Sequence, residues 1–453
     1  MRQGTEAVTT ADHERLARAR AGVAARPVSA VAEHNLASVL GDLGDFAGAE
    51  AATARALAKG GDAAETWLVR GRALQGLARL DEAEAALATA IARRPDYAVA
   101  HRDLAQLRWM RTADMRHALA AIAAAPATTD LIRVHATVLT EAGEGAAAAA
   151  LLTRAVAARP GDPDLRLMAA AACGRQGDAP AQLAHATAAL SLAPGSTGAA
   201  KAAVEALLHA GRAGEAAALA ERLIAAIPDD QGAIALACTA WRLTGDPRHA
   251  AWCEDPALVS AATIPTPPGW PDLPAFLADL AADLAARHRW RTHPLEQSVR
   301  HGSQTQEDLA RLDVPVLRAL FAALDAPIAA HLGALGAGDD PVRRRLSGGY
   351  RFAGAWSVRL TPGGFHSDHV HPRGWLSSAF YVDLPDAVAQ EPAGWLALGR
   401  PGVPTRPALG PLRHIRPRPG QLVLFPSWLW HGTEPFAGDA TRLTVAFDLL
   451  PAE

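Results

Sequence analysis

Two hydrophobic patterns divide this chain. From about residue 30 to 253, apolar positions recur at helical spacing in short segments separated by turns. The unit is clearest in ETWLVRGRALQGLARLDEAEAALATAIARRPD. Trp67, Gly71 and Leu74 fall on one helical face there, and a turn follows between Gly76 and Leu80. Ala83, Leu87 and Ala90 then make a second face before Pro95 stops the helix. Small residues at the facing positions predict two antiparallel helices in close approach. From Tyr350 the helical period gives way to short apolar or alternating runs: FAGAWSVRL, SSAFYVDL, GWLALG, LRHIRP, QLVLFPS and RLTVAFDLL. Runs of this length, broken by Gly and Pro, predict an antiparallel sandwich or small barrel, with turn signals at Pro362-Gly363 and Pro419-Gly420.

The helical part repeats itself. Ala37, Gly71 and Ala105 are spaced 34 apart, as are Ala49 and Ala83, and Ala56 and Ala90. Pro126, Pro160, Pro194 and Pro228 keep the same interval, while Pro95 to Pro126 spans 31, so one repeat is shortened. This period and helix-turn-helix unit resemble the tetratricopeptide repeat (TPR), in six or seven copies over 30–254, behind a helical lead-in at 1–29. One such helix pair cannot bury its apolar face, so neighbours stack into an α-solenoid with a long concave groove. The resemblance implies a protein or peptide partner in that groove. Arg70, Arg72 and Arg102 either face acidic groups of such a partner or form a solvated helix face.

After Trp252 the pattern breaks. EDPALVSAATIPTPPGWPDLPAF carries six prolines, which predicts an extended, semi-rigid connector followed by a helix across 255–284. A second amphipathic helix follows, up to about Leu335. The polar, non-periodic HPLEQSVRHGSQT between them reads either as a surface loop capped near Ser303–Gln306 or as a loop folded against a pocket wall. The fold class is therefore multidomain α + β: a helical repeat array, then a C-terminal β domain at 285–453 with flanking helices.

Length and charge narrow the classes. A chain of 453 residues exceeds one hydrophobic core, and a formal net charge of −3 makes no case for nucleic acid or an anionic membrane as partner. Cys173, Cys238 and Cys253 sit in Ala-rich helical sequence and read as buried thiols of a reducing compartment. The N-terminal segment lacks a signal-peptide core, and Arg, Asp or Gly interrupts every long apolar run. The expectation is a soluble cytoplasmic protein.

The candidate chemistry is confined to the β region. GGFHSDHVHPRGWLSSAFYVDLP places His366, Asp368, His369 and His371 within six residues. GQLVLFPSWLWHG ends in His431, and Arg442 opens the next strand-like run, TRLTVAFDLLP. In an extended strand side chains alternate faces, so His369 and His371 point one way and His366 and Asp368 the other. Only one set can converge with His431. The rival metal sets are therefore His369/His371/His431 and His366/Asp368/His431. Arg442 suits bidentate carboxylate recognition, while Trp375, Phe425, Trp428 and Trp430 read as core and rim packing.

These runs, with QSVRHGSQT upstream, resemble the iron(II)/2-oxoglutarate dioxygenase superfamily over 285–453, including a branch found fused to TPR arrays. The resemblance implies a double-stranded β-helix (jelly roll), Fe(II), 2-oxoglutarate as cosubstrate and O₂. Its glycine-to-ligand interval, met by Gly364 and His369, implies His369, His371 and His431 as ligands. It also implies Arg442 on the far carboxylate of the cosubstrate, assisted by Tyr381 or Thr444. The superfamily usually offers two histidines and one carboxylate, and here a histidine stands in the carboxylate position. An Fe²⁺ site with three neutral imidazoles carries about two net positive charges, against about one in the usual set. The activity implied is oxidative decarboxylation coupled to hydroxylation, with substrate choice in loops 386–394 and 400–414. The alternatives are a TPR scaffold whose β domain is inactive, or a cupin-like metal-binding domain that does not use 2-oxoglutarate.

Overall fold

A computed structural model describes residues 10–452. After a helix at Thr10–Ala25, seven helix pairs run to residue 254, their first helices beginning at Ala30, Ala64, Ala98, Thr129, Pro163, Thr197 and Gln231. The spacing is 34 throughout except for 31 between the third and fourth, as the proline series predicts. The remainder of the expected lead-in, residues 1–9, lies outside the described residues. The loops inside the pairs need a left-handed residue, supplied by Gly44, Gly143, Gly177, Gly211 and Gly245 in five pairs and by Ala78 and Ala113 in the other two.

The chain divides into two compact units, one ending at Leu151 and the other beginning at Leu152, inside the helix Gly145–Ala158. The first unit holds the early pairs. A Cβ on Gly71 would lie 2.7 Å from the Leu87 side chain, so only glycine lets helices Ala64–Gly76 and Leu80–Arg93 approach this closely. Facing them, Ala83 and Ala90 are fully buried. The arginines singled out as possible partner contacts are matched within this unit: Arg70 pairs with Glu50 at 2.7 Å, and Arg72 and Arg102 pair with Asp103 at 2.6 and 3.4 Å.

In the second unit the last two helix pairs share one core with the sheet. Helix Gln231–Thr244 explains why. Its residues from Ala233 to Trp241 are all buried, which a solenoid end facing water would not tolerate. Trp241 meets Trp252 edge-to-face at 5.2 Å, the Trp428 indole donates to the Trp252 carbonyl (3.2 Å), and the Trp430 indole donates to Thr239 Oγ1 (3.0 Å). Arg242 donates to the carbonyls of Gly399 and Gly410, each at 2.9 Å.

Nine strands follow: β1 (Ser260–Thr263), β2 (Val299–Gln304), β3 (Tyr350–His369), β4 (Leu376–Asp383), β5 (Leu396–Leu398), β6 (Arg413–Ile415), β7 (Gln421–Pro426), β8 (His431–Thr433) and β9 (Arg442–Pro451). They form one curled antiparallel sheet in the order β1-β7-β4-β9-β3-β8-β5-β6, with β2 also on β3. This is the double-stranded β-helix. The long β3 turns the corner: its first half pairs with β9 (Leu360 opposite Arg442) and its end pairs with β8 (His369 opposite His431). The crossing occurs at Pro362-Gly363-Gly364. Gly363 takes φ +77°, and a Cβ on Gly364 would lie 2.6 Å from the carbonyl oxygens of His301 and Thr361. Phe380, Phe425 and Phe447 fill the interior, with Trp375 and Trp428 buried beside them.

Two segments differ from expectation. The Pro-rich connector at 255–284 contributes β1, which pairs with β7, and helix Leu273–Arg287, which packs against β4; prolines flank the strand but leave its own amides free to pair. HPLEQSVRHGSQT ends as β2, because Ser303 and Val299 face inward while the intervening residues meet solvent. Helix Pro315–Ala334 corrects the reading that no apolar run is long enough to cross a bilayer: by length and composition it is. In this fold Leu317, Leu320, Leu324 and Ile328 of that helix are buried in the protein core.

Candidate metal centre and cosubstrate pocket

The strand pairing that sets His369 opposite His431 brings two imidazoles together, and His371, just past the end of β3, supplies a third. Ligand-capable nitrogens of His369, His371 and His431 all lie within 4.8 Å of one another. The other ring nitrogens fix the tautomers. Nδ1 of His369 donates to the Ser367 carbonyl (2.8 Å), Nδ1 of His431 to the Leu429 carbonyl (3.0 Å), and Nδ1 of His371 to the Asp448 carboxylate (2.6 Å). A carbonyl or carboxylate oxygen only accepts, so each Nδ1 carries its hydrogen and Nε2 is the atom each ring leaves for an ion.

Burial keeps the His369 and His431 rings neutral. It pulls the pKa of His369 down to about 3, with His371 adding to the shift, and it holds His431 well below the usual imidazole range. The Nε2 atoms of His369 and His371 are 3.2 Å apart. Two lone pairs that close repel unless a cation lies between them. Ligand bonds of about 2.1 Å would separate two nitrogens by about 3.0 Å at a right angle and about 3.4 Å at a tetrahedral angle. The donor set therefore fits a transition-metal ion.

Asp448 is the residue that motif reading passes over. It closes RLTVAFD, six positions after Arg442, and its Oδ1 also accepts from Ser377 Oγ (2.8 Å), which is 2.9 Å from Ser427 Oγ. A carboxylate behind a ligating imidazole fixes its orientation and raises its basicity. The only sequence signal is an acidic residue late in a strand predicted to border the pocket.

The rival carboxylate is engaged elsewhere. Asp368 accepts from Arg400 Nε (2.6 Å), and Arg400 also donates to Glu434 (2.8 Å), which His414 meets at 3.0 Å. Asp368 is not in the imidazole cluster. His366 departs from strict alternation: an irregularity in the β3–β8 pairing falls between His366 and His369, and the two rings stack at 6.0 Å. Ser298 Oγ stands 3.0 Å from His366 Nδ1 and 3.3 Å from His369 Nε2, so β2's lead-in reaches the site.

Arg442 begins β9 and is only 2 % exposed. No carboxylate pairs with it among the described residues, and its Nε hydrogen has no acceptor. Burial lowers its pKa, and the neighbouring Tyr381 offsets part of that shift. Tyr381, on the neighbouring β4, has its ring 5.2 Å from the guanidinium; its hydroxyl forms no well-aligned hydrogen bond among the described residues. Thr444, two residues along β9, stands opposite Tyr381 and donates to the Val358 carbonyl (3.4 Å). A buried guanidinium without a counter-charge is costly, and an anion bound beside it relieves that cost. These orphaned groups fit a carboxylate at that place.

Residues 354–448 match the family described as Putative 2OG-Fe(II) oxygenase. No curated protein sequence matches the chain. Among solved structures it is similar to a tetratricopeptide repeat protein from Parabacteroides merdae (12 % identity, covering 50 % of this chain and 90 % of that one, TM-score 0.36). It is also similar to a Pseudomonas putida prolyl-4-hydroxylase (16 % identity, 46 % and 97 %, TM-score 0.30) and to the C-terminal part of a TPR repeat-containing protein from Cytophaga hutchinsonii (14 %, 50 % and 94 %, TM-score 0.36). The chain thus carries, behind an array of TPR-like helix pairs, a C-terminal domain that matches this 2OG-Fe(II) oxygenase family.

Proposed function

We propose that this protein is an Fe(II)- and 2-oxoglutarate-dependent oxygenase, a hydroxylase whose helix array holds a protein partner or substrate. The observation that carries the reading is Arg442: a fully desolvated cation with no acid to balance it, on a strand paired with the one that bears His366 and His369. His369, His371 and His431 would hold the iron through Nε2. When bound, iron with 2-oxoglutarate and O₂ supplies the oxidising chemistry, released as succinate, CO₂ and a hydroxylated product.

The chain's own groups do the positioning. Asp448 orients His371, and the Ser367 and Leu429 carbonyls orient the other two rings. Arg442 would take the far carboxylate of the cosubstrate in a two-point contact, with the Tyr381 hydroxyl as an additional donor. The Phe425 ring, 4.7 Å from His431, limits water at the cluster. Three imidazoles in place of two and a carboxylate leave more positive charge for a dianionic 2-oxoacid to neutralise.

The experiment is anaerobic reconstitution with Fe(II) and 2-oxoglutarate, followed by O₂ and assay of succinate. Oxygen-dependent succinate above the metal-free control is the expected result. No turnover with iron bound, even with peptides supplied, contradicts the oxygenase reading and favours a scaffold with a metal-binding β domain.

A further inference from the structure

Beside the metal cluster, within the second unit, a separate cavity of about 330 Å³ lies between helices and sheet. Leu167, Lys201, Glu205 and Leu236 project into it from the first helices of three successive pairs, and Val370 and Trp430 close it from the sheet. Val370 lies between His369 and His371 in the chain, and Trp430 directly precedes His431. Since consecutive residues are about 3.8 Å apart, this wall belongs to the same two segments that carry the imidazoles. In the TPR-like array, residues 198, 201, 202 and 205 recur at i, i+3, i+4 and i+7, so one stripe of helix Thr197–His209 faces the space.

The cavity is apolar along its length and acidic at one point. Lys201 is already neutralised, with Nζ 3.0 Å from Asp230. Glu205 forms no hydrogen bond among the described residues. Burial outweighs the attraction of Lys201 and Arg175 and raises its carboxyl pKa to about 7. An acid with four acceptor positions and no donor, set among Leu, Val and Trp side chains, suits a group with an apolar stem and a cationic end. An indole wall favours a guanidinium or ammonium further.

We propose that this cavity is a recognition subsite for a basic side chain, arginine ahead of lysine, of a protein or peptide substrate, with Glu205 as its counter-charge. It takes the oxygenase reading as given, because only then does a residue next to the anchored one reach a reacting centre. The methylenes of the basic residue lie against Leu167, Leu236 and Trp430, and its hydrogens meet the Glu205 carboxylate, which loses its proton to solvent as the cation enters. The helix array thereby reads the substrate sequence within one or two residues of the place where the β domain would act.

The test uses the full-length chain, free of iron, cosubstrate and O₂, on an array of short synthetic peptides. One central position carries each amino acid in turn, and affinities of selected peptides are measured by fluorescence anisotropy. Wild type is expected to select Arg and Lys. Glu205→Gln should lose that preference and bind the selected peptide roughly 30-fold more weakly. Gly198→Leu is the second variant. A Cβ at Gly198 meets nothing nearer than Ser196 Oγ at 3.7 Å, so the larger side chain fills the cavity without disturbing the helix, and it should abolish selection as well. Absence of basic selection in wild type, selection of acidic residues through Lys201, or an unchanged preference in Glu205→Gln each overturns the proposal. Because binding is read without turnover, a failed succinate assay alongside intact basic selection points at the oxygenase reading and leaves the subsite standing.

Discussion

Replacing Arg442 by methionine separates a functional cation from a structural one. The guanidinium is 2 % exposed, has no paired carboxylate among the described residues and leaves Nε without an acceptor. In the cosubstrate-free protein it is a desolvated charge with little return, and replacing a buried charged group by an apolar one of similar volume is neutral or stabilising by about 1–4 kcal/mol. At about 2–4 °C per kcal/mol for a unit of this size, thermal unfolding of Arg442→Met without ligands should hold steady or rise by several degrees. Once a carboxylate is seated the balance reverses. Truncating one partner of a buried, hydrogen-bonded charge pair costs about 2–5 kcal/mol, or roughly 30- to 5000-fold in Kd. Anaerobic calorimetry of Fe(II)-loaded protein with 2-oxoglutarate reads this directly. Arg442→Lys keeps the charge but loses the planar fork, and should fall between wild type and the methionine variant. Unchanged 2-oxoglutarate affinity in Arg442→Met, or a melting temperature several degrees lower, would refute the reasoning, since the arginine would then be a strut of the sheet.

Two further outcomes follow from side chains around the site and in the core. Asp448→Asn leaves His371 in place but removes the charge behind its Nδ1, and metal affinity should fall about 10- to 100-fold by competitive chelation with little change in melting temperature; an unaltered affinity would mean that the carboxylate only packs. His331 is buried in helix Pro315–Ala334 with neither ring nitrogen partnered among the described residues, and burial lowers its pKa to about 4. The unfolded chain, with an ordinary imidazole near 6.5, takes up the proton first, so stability falls as pH drops from about 6.5 to about 4, by of order 3 kcal/mol from this residue. His331→Leu should flatten that part of the denaturant-midpoint profile against pH, and an unchanged slope would show that the ring is hydrated.

The parts of the structure that follow from local pattern were legible in the residues. The 34-residue interval and its single 31-residue exception reappear as helix starts because each pair must present small residues to the next. The approach at Gly71, where a Cβ would meet Leu87, shows the same constraint at atomic scale. His369, His371, His431 and Arg442 stood out because few reasons exist to place three imidazoles and an arginine in apolar strands. What escaped reading depended on contacts distant in sequence. Asp448 acquires meaning only when β4 and β9 bring Ser377 beside it, 71 positions away. Strict alternation puts His366 on the far face, whereas a pairing irregularity in β3 sets it beside Ser298 and the His369 ring. The Pro-rich connector hides the four-residue strand β1 because its prolines lie outside Ser260–Thr263. The unit boundary falls inside the helix Gly145–Ala158, and Trp428 and Trp430 cover the final helix pair where another repeat would otherwise stack.

The most direct measurement is iron content after anaerobic loading with Fe(II) and dialysis, compared between wild type and His431→Ala. The account predicts one iron per wild-type chain and none in the variant, with both proteins folded by circular dichroism. Stoichiometric iron retained without His431, or a wild type that holds none, would contradict the claim that the three imidazoles form one metal site.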